Sequence, residues 1–401
     1  MDTCNATSTK VHHYPKEKIV PKVLFILKQR EDYSTNIPNF QNYTVSTGMY
    51  NSSKFVSDML VTNGIQSQLA IVIDNNGIDK VVTAYKPTHV FIEGLWVVPE
   101  KFEVLKKLHP TVDWIIRCHS EIPFLAQEGM AIQWIFGYLS NGVKVSCNSP
   151  RANREVRLMA LAKLNASKFD AIHMVPMLPN YYPVPNAFPK VKMYKKGVID
   201  IACFGAIRPM KNQLIQALAA IEFAEKHRMH LRFHINAGRI ESNGNNQAKN
   251  LTNLFANLPQ YELVKHDWTD HDTFVGVMQT MDMSLQVSFS ETFNLVTADA
   301  VTNGVPVIVS DEMKWVAPPY ADPSSSSDIV NVMSDVWMNK RYYIKKNLEK
   351  LTRYSKKSSD IWVDYINERS VKEDFGITNV LLSGLKKFLC ISCIVFPLIM
   401  R

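Results

Sequence analysis

The chain has 401 residues, of which 46% are apolar and 20% are charged. This composition excludes a disordered or collagen-like protein, and the length makes two domains the natural expectation. Lysine and arginine number 45 against 37 acidic residues, and this surplus favours an anionic partner without indicating a fold. The cysteines are scattered and the N-terminal sequence has no apolar segment of signal-peptide length, so we expect a cytoplasmic protein without a disulfide framework.

Short apolar runs alternate with helix-length segments along the first half of the chain. The runs have the length of buried parallel strands, and the segments between them, such as 51–62 and 99–108, are long enough for helices. This alternation predicts an α/β fold in which helices cover both faces of a parallel sheet. The predicted strands of the first half are 22–28, 68–74, 88–93, 112–118 and 143–147.

A proline-dense segment, 174–197, interrupts the alternation, because proline cannot continue a helix or a central strand. The pattern then restarts, and it predicts two doubly wound, Rossmann-like domains that face a central cleft, where ligands of such sheets bind. The predicted strands of the second half are 199–204, 231–236, 261–265, 283–287 and 305–309, and 211–226 is a predicted amphipathic helix. The predicted divisions are an N-terminal extension (1–19), a first domain (20–180), a linker (181–197), a second domain (198–338) and a C-terminal region (339–401).

The stretch SETFNLVTADAVTNGVPVIVS, residues 290–310, predicts a short helix that begins directly after a strand. Asn294 can cap this helix, and Gly304 can end it. The backbone amides of Asn294, Leu295 and Val296 are then free at the positive end of the helix. We therefore expect an anion-binding site there.

Two carboxylates flank this predicted anion site, eight positions apart. Asp299 lies about one turn into the helix, where a carboxylate can accept two hydrogen bonds from a vicinal diol such as ribose. Glu291 precedes the helix and can accept hydrogen bonds from the hydroxyls of a sugar on the other side of the phosphates. One strand–turn–helix unit can thus bind ribose, diphosphate and sugar in that order.

This stretch resembles the acid-x7-acid motif of the retaining, metal-independent glycosyltransferases with the GT-B fold, a large family that includes sucrose synthases and bacterial mannosyltransferases. Asparagine at 294 replaces a usual glycine, and aspartate at 299 replaces the usual second glutamate, which shortens its reach. The positions that match the family pattern are Glu291, Phe293, Leu295, Val296, Ala300, Gly304, Pro306, Val307 and Ile308.

A second match is the loop CFGAIRPMKNQ, residues 203–213, which resembles the family's G-R-x-x-P-x-K-N loop. In the family, a basic pair in this loop neutralises the donor diphosphate, whose negative charge grows as the sugar leaves. Ala206 occupies the usual arginine position, so either Arg208 replaces that charge or Lys211 acts largely alone. The positions that match are Gly205, Pro209, Lys211 and Asn212.

Histidines elsewhere in the sequence have different expected roles. The family often carries a histidine close to the donor sugar, and His119 in RCHSEIPFL is the candidate here. His234 alternates with apolar neighbours, and we interpret it as structural. Asp270 in Asp-His-Asp precedes an apolar-periodic segment, so we expect a helix cap and no metal site.

The resemblance implies transfer of a sugar from a nucleoside-diphosphate sugar, most simply a UDP-sugar, to a hydroxyl with retention of configuration. The departing phosphate would accept the acceptor's proton, so no separate base and no cofactor are expected. The implied catalytic residues are Glu291, His119 and Lys211, and the implied donor-binding residues are Arg208, Lys211, Asn294, Leu295, Val296 and Asp299. Two alternatives are a sugar phosphorylase and a non-catalytic sugar-nucleotide-binding module. A phosphorylase would carry a pyridoxal cofactor on a lysine, and no lysine of this sequence lies in a context that favours this role.

The acceptor is suggested only by the C-terminal region. Segment 340–357, KRYYIKKNLEKLTRYSKK, combines eight basic residues with Tyr342, Tyr343 and Tyr354, and can bind a polyanion such as DNA or an acidic membrane surface. The apolar tail 388–400 is too short to span a bilayer, and can pack on the protein or lie in a membrane interface.

These features also resemble the bacteriophage enzymes that glycosylate hydroxymethylated cytosine in DNA, which would act in the host cytoplasm. Such an enzyme must flip the base into its cleft to reach the hydroxymethyl group within a duplex. DNA is therefore the favoured acceptor, and a polysaccharide or a lipid at a membrane surface is the alternative.

Overall fold

The computed structural model describes residues 20–29, 47–193, 197–241 and 243–368. The first half forms β1 (Lys22–Lys28), α1 (Thr47–Thr62), β2 (Gln66–Val72), α2 (Gly77–Tyr85), β3 (His89–Glu93), α3 (Lys101–Leu108), β4 (Asp113–Cys118), α4 (Ile122–Leu125), α5 (Ala131–Ser140), β5 (Lys144–Cys147), α6 (Pro150–Leu164) and α7 (Lys168–Met174). The second half forms β6 (Val198–Ala202), a 3-10 turn (Pro209–Lys211), α8 (Gln213–Lys226), β7 (His230–Asn236), α9 (Gly244–Phe255), β8 (Tyr261–His266), α10 (His271–Met278), β9 (Met283–Gln286), α11 (Leu295–Thr302), β10 (Val307–Val309), α12 (Ser326–Met338) and α13 (Lys340–Ile366).

The described strands form two parallel five-stranded sheets, as the alternation predicts. The first sheet has the order β2-β1-β3-β4-β5, and the second has the order β10-β9-β6-β7-β8. The direction of winding reverses between β1 and β3 in the first sheet and between β6 and β9 in the second. Such reversals open a crevice at the carboxyl ends of the strands, where ligands bind. The prediction of two doubly wound α/β domains is therefore confirmed.

The predicted strands all begin and end within two residues of the observed ones, but β2 is displaced as a whole, because it starts and ends two residues earlier than 68–74. The polar residues Gln66 and Ser67 belong to β2 because they pair in register with Lys22 and Val23 of β1. β2 lies at the edge of the sheet with one neighbouring strand, so its polar side chains can remain in contact with water.

Helix α13 connects the two domains. It begins beside α12 in the second domain, and its far end packs on the first domain, where Trp362 contacts the rings of Phe25 and Phe91 and donates from Nε1 to the carbonyl of Pro179 at 2.7 Å. α13 thus connects the second domain back to the first. Its buried positions recur every three or four residues: Ile344, Asn347, Leu351, Ser355, Ser358, Trp362 and Ile366.

The basic segment 340–357 forms the first two-thirds of α13, and most of its charged side chains are exposed. Of its tyrosines, Tyr342 is 56% exposed, whereas Tyr354 stacks on the buried ring of Phe293 at 5.1 Å. Tyr343 donates a hydrogen bond to Asp335 and lies against Tyr342. Tyr354 therefore packs against the core, and the expectation that it alternates with the basic residues on a binding surface is wrong.

Among the described residues, no helix is both long and apolar enough to cross a membrane. The N-terminal extension (1–19) and the apolar tail (388–400) lie outside the described residues, so the expectations for them stay predictions.

Candidate active site

The two loops that carry the sequence motifs meet at the reversal point of the second sheet. The loop 203–212 follows β6, and the turn 287–294 follows β9, which is the neighbour of β6 in the sheet. Lys211 Nζ contacts Glu291 Oε1 directly, and Ser288 Oγ donates to the same oxygen at 3.2 Å. The structure therefore joins two predicted site residues that are 80 positions apart in the chain.

The turn after β9 ends in a capped helix, as predicted. Asn294 Oδ1 accepts the backbone N–H of Thr297 at 3.0 Å, and its Nδ2 donates to Gln286 Oε1 at 2.8 Å. Asn294 has a φ of +62°, a backbone conformation that glycine adopts freely and that asparagine tolerates better than most residues. This explains why asparagine can stand where the resembling family has glycine.

The start of α11 leaves backbone donors unused. The amides of Asn294, Leu295 and Val296 donate no hydrogen bond to any other described residue. Such amides lie at the positive end of the helix dipole, where an anion can bind. The geometry of the predicted anion site is thus present, at the same edge of the sheet as Lys211.

Lys211 is held in a mostly buried position. Its side chain is 11% exposed, and burial lowers its pKa, although the carboxylate of Glu291 opposes this shift and the charge of Arg208 adds to it. Loop 203–212 can bend this tightly because Gly205 has a φ of +112°, and its amide donates to Asn236 Oδ1 at 2.9 Å. The ammonium group is therefore fixed beside Glu291 by the surrounding fold.

Arg208 extends from the same loop toward the first domain. Its guanidinium carbon lies 4.6 Å from the ring centroid of Phe124, and its Nη1 lies 3.5 Å from Glu241 Oε2. Arg208 is close enough to Lys211 to lower its pKa, so both cations contribute to the potential of this loop. An arginine two residues beyond the family's usual position therefore still lies in the cleft.

His119 follows β4 in the first domain and belongs to a buried charged group. Its Nε2 lies 2.6 Å from Glu93 Oε2, and Arg117 Nη1 donates to Glu93 Oε1 at 2.7 Å. Glu93 is fully buried, and burial alone would raise its pKa, but Arg117 and His119 together hold that pKa below its ordinary value. Glu93 therefore fixes the orientation of the His119 ring, a role that the sequence analysis did not identify.

Thr292 connects His119 to the turn that carries Glu291. Its hydroxyl donates to the carbonyl oxygen of His119 at 3.1 Å and accepts from Asn148 Nδ2 at 3.1 Å. The candidate histidine of the first domain thus lies one hydrogen bond from the residue that follows Glu291. The structure brings together His119, Glu291 and Lys211 in one cleft, and their catalytic roles stay predictions.

Asp299 is 3% exposed and is engaged by protein groups. Tyr182 Oη donates to its Oδ1 at 2.7 Å, and His271 Nε2 lies 2.8 Å from the same oxygen. The hydrogen bond to Asp299 raises the pKa of His271, although burial opposes this shift. The role of Asp299 in binding ribose stays a prediction, and the structure shows that one of its two oxygens is already used.

The remaining histidine and aspartate predictions can be compared directly with the structure. Asp270 Oδ1 accepts the backbone N–H of Thr273 at 2.9 Å and caps α10, as predicted. His234 is buried between Asp200 and His266, at 3.0 and 2.8 Å, which agrees with its structural interpretation. Within the described ranges, no group of three or more histidine, cysteine, aspartate and glutamate side chains is arranged to hold a metal ion.

Comparison with known proteins identified a family and a set of similar folds. Residues 152–313 match the family described as family 4 glycosyltransferase in conflict systems. This matched region contains both loops at the reversal point of the second sheet. No curated protein matched the sequence.

Solved structures that resemble most of the chain share little sequence with it. The N-terminal domain of trehalose-6-phosphate phosphatase from Candida albicans is 12% identical, has a TM-score of 0.62, and covers 90% of this chain and 99% of its own. A UDP-forming α,α-trehalose-phosphate synthase from Burkholderia xenovorans is 8% identical, with a TM-score of 0.61 and coverage of 88% and 100%. An Anabaena protein in complex with UDP-glucose is 13% identical, with a TM-score of 0.53 and coverage of 86% and 97%.

The likeness extends over both domains, and it confirms the predicted GT-B fold. The matched family domain indicates the enzyme class, and the similar structures indicate the fold: the protein is a glycosyltransferase with the GT-B fold.

Proposed function

We propose that the protein transfers a sugar from a UDP-sugar to a hydroxyl acceptor with retention of anomeric configuration and without a metal. The observation that carries this proposal is the meeting of Lys211, Glu291 and the unused amides before α11 at one edge of the sheet. A fixed cation and helix-end amides can stabilise a departing diphosphate. The choice of UDP rests on the Anabaena protein of similar fold, which is in complex with UDP-glucose.

Each group has a distinct role in the proposed reaction. The diphosphate lies against the amides of residues 294–296, and Lys211 and Arg208 neutralise the charge that develops as the sugar leaves. Glu291 accepts hydrogen bonds from the sugar hydroxyls, and His119 contacts the sugar from the opposite side of the cleft. The departing phosphate takes the acceptor's proton on the same face, so the site needs no separate base. Asp299 accepts a ribose hydroxyl through the oxygen that Tyr182 and His271 leave available.

The first test is hydrolysis or transfer with a panel of UDP-, GDP-, ADP- and TDP-sugars, followed by NMR of the anomeric product. Retained configuration and release of UDP support the proposal, and inversion refutes the retaining assignment. Glu291→Ala should lose most turnover, whereas Glu103→Ala, an exposed glutamate on α3, should not. A Glu291→Ala variant with full turnover would overturn the role of Glu291. If the wild-type protein binds UDP-sugar but releases no UDP, the chain is a binding module and not an enzyme on that donor.

The lowered pKa of Lys211 gives a second test of the donor site. As the pH rises, Lys211 should lose its proton at a lower pH than an ordinary lysine does, and the diphosphate then loses this cation. Turnover should therefore fall at a correspondingly lower alkaline pH. Lys211→Arg keeps its charge at every accessible pH and should remove this alkaline limit, since arginine is not deprotonated in proteins. An unchanged alkaline limit in Lys211→Arg would show that another group sets it.

We propose DNA carrying hydroxymethylated cytosine as the acceptor, on the basis of the outward basic face of α13. Arg341, Lys345, Lys346, Arg353 and Lys356 are exposed on this helix, while its other face is buried in the protein. Tyr342 is also exposed there, with Lys346 Nζ 5.4 Å from its ring centroid. A helix that presents cations along about four turns suits the phosphate backbone of a nucleic acid.

The acceptor proposal is tested by the salt dependence of binding. Neutralising Lys345, Lys346, Lys356 and Lys357 should flatten the slope of log affinity against log salt by up to about 3 to 4, since each phosphate that a lysine neutralises contributes about 0.9. A matched control neutralises four exposed lysines elsewhere: Lys80, Lys86, Lys163 and Lys226. Hydrolysis of the donor alone should not change in either variant. An unchanged slope would refute DNA binding by α13, and loss of binding to anionic vesicles without any DNA binding would favour a lipid acceptor.

A further inference from the structure

The turn that carries Glu291 is attached to the first domain by two routes. One is the pair of hydrogen bonds through Thr292, described above, which reach His119 and Asn148. The other is an ion pair between Arg151 on α6 of the first domain and Glu312, which follows β10 of the second domain. The first route starts at the residue after Glu291, and the second reaches the Glu291 backbone through Glu312.

Arg151 is oriented by two carboxylates on opposite sides of the cleft. Its Nη1 donates to Glu312 Oε1 at 2.8 Å while its Nη2 contacts Oε2, so the guanidinium binds Glu312 with two parallel bonds. Its Nε donates to Glu121 Oε2 at 3.1 Å. Glu121 is buried in the first domain and accepts a hydrogen bond from Ser149 Oγ, so it anchors the arginine on that side.

Glu312 carries this ion pair to the backbone of Glu291. Its Oε2, the oxygen that contacts Arg151 Nη2, also accepts the backbone N–H of Glu291 at 3.2 Å. The carboxylate side chain of Glu312 is 14% exposed, so water weakens these bonds only in part. A movement of Arg151 away from Glu312 therefore loosens one of the groups that fix the turn on which Glu291 stands.

We infer that Arg151 and Glu312 are positioning residues, which couple closure of the two domains to placement of Glu291. This inference rests on the proposed role of Glu291 in holding the donor sugar. When the cleft is open, the second domain retains Lys211 and the amides before α11, which suffice to bind the diphosphate. When it closes, Arg151 binds Glu312 and the Glu291 turn takes its productive position.

The inference predicts a specific kinetic pattern. Because the groups that bind the diphosphate all belong to the second domain, Arg151→Met should leave KM for the donor nearly unchanged. It should lower kcat by roughly 10- to 100-fold, since a misplacement of about 1 Å has effects of that size. Arg151→Lys should show most of the same decrease, because lysine keeps the charge but cannot make two parallel bonds. Arg154→Met changes an exposed arginine on the same helix and should behave like the wild type.

A double-mutant cycle separates positioning from general stability. Arg151→Met and Glu312→Gln together should lower kcat no more than either change alone, because both break one interaction. Multiplicative losses would overturn the inference, as would a kcat that follows only the fraction of folded protein. Asp311 and Lys314 form an exposed ion pair next to Glu312, so Asp311→Asn serves as the control substitution.

Small-angle X-ray scattering of the whole chain tests the closure itself without any substrate turnover. Arg151→Met should increase the radius of gyration relative to the wild type and to Arg154→Met, because the cleft opens. Identical scattering from all three proteins would refute the coupling of Arg151 to closure. If the wild type hydrolyses no donor, the proposed function fails, while the scattering result still decides whether Arg151 holds the domains together.

Discussion

Replacing Glu93 with glutamine tests the charged group that is buried at the carboxyl ends of β3 and β4. Glu93 is fully buried, and it lies 2.7 Å from Arg117 Nη1 and 2.6 Å from His119 Nε2. Arg117 is 1% exposed, so the substitution leaves a buried cation without its counter-charge. Breaking such a pair costs about 3 to 5 kcal/mol. Glutamine keeps one acceptor oxygen, and Ser52 and Asn180 still lie near Arg117 Nη2, so we expect a loss of about 3 kcal/mol.

The assay is urea unfolding at pH 7, followed by tryptophan fluorescence and by circular dichroism. Asp79→Asn is the matched control, because Asp79 also pairs with a histidine, His109 at 2.7 Å, but its side chain is 47% exposed. An exposed pair of this kind contributes about 0 to 1 kcal/mol. The reasoning is refuted if Glu93→Gln loses no more stability than Asp79→Asn.

The sign of the pH dependence follows from the lowered pKa of Glu93. A carboxylate whose pKa is lower in the folded state than in the unfolded state stabilises the fold above its unfolded pKa, and this contribution disappears as the pH falls through the folded value. The stability difference between the wild type and Glu93→Gln should therefore be constant near neutral pH. It should narrow as the pH falls below about 4, where ordinary glutamates become protonated.

Two further substitutions test neighbouring features. The hydrogen bond to Asp299 raises the pKa of His271 in the folded state, so the stabilisation from this pair is complete below the unfolded-state pKa and is lost as the pH rises through the folded-state pKa. The thermal midpoint of His271→Gln should therefore lie furthest below that of the wild type at pH 5.5 and should approach it at pH 8.5. Gly304 has a φ of +74°, and an added Cβ would lie 2.5 Å from the carbonyl oxygen of Lys190, so Gly304→Ala should lower the free energy of unfolding by more than about 2 kcal/mol. Gly276 has open space at the position of a Cβ, so the control Gly276→Ala should be neutral or stabilising in thermal unfolding.

The strands could be predicted from sequence because buried parallel strands are short, continuous apolar runs. β1 shows this directly, since its five successive apolar residues, 23–27, are all buried. The prediction for β2 was displaced because an edge strand tolerates polar residues, so its ends depend on the register with β1 and not on its own hydrophobicity. The capped start of α11 was predictable for a similar reason, since a cap, a free helix end and a strand end are all local features.

The environment of the predicted acids could not be predicted in this way. Asp299 is engaged by Tyr182, which is 117 positions away, and by His271, which is 28 positions away. Glu312 and Arg151 are separated by 161 positions. The contact between Arg151 and Glu312 depends on how the two domains face each other, and the contacts of Asp299 depend on how separate elements pack around α11. No periodicity in any of these segments indicates them. The packing of Tyr354 on the core was missed because its partner Phe293 lies in another part of the chain.

Asn294 offers a last prediction, because it is where the sequence departs from the glycine of the resembling family. Its φ of +62° costs a residue with a Cβ about 1 to 2 kcal/mol, and its side chain caps α11 through Thr297 and also binds Gln286. Asn294→Ala loses both hydrogen bonds, and alanine tolerates this backbone conformation less well than asparagine does, so we expect a loss of about 2 to 3 kcal/mol.

Asn294→Gly loses the same hydrogen bonds but relieves the backbone, and replacing a capping asparagine by glycine costs only a few tenths of a kcal/mol. Its unfolding free energy should therefore lie well above that of Asn294→Ala. Donor affinity should follow the same order, because the amides of residues 294–296 are placed for the proposed anion site only while this turn keeps its shape. Equal stability of the two variants would show that the side-chain hydrogen bonds, and not the backbone conformation, determine the residue at this position.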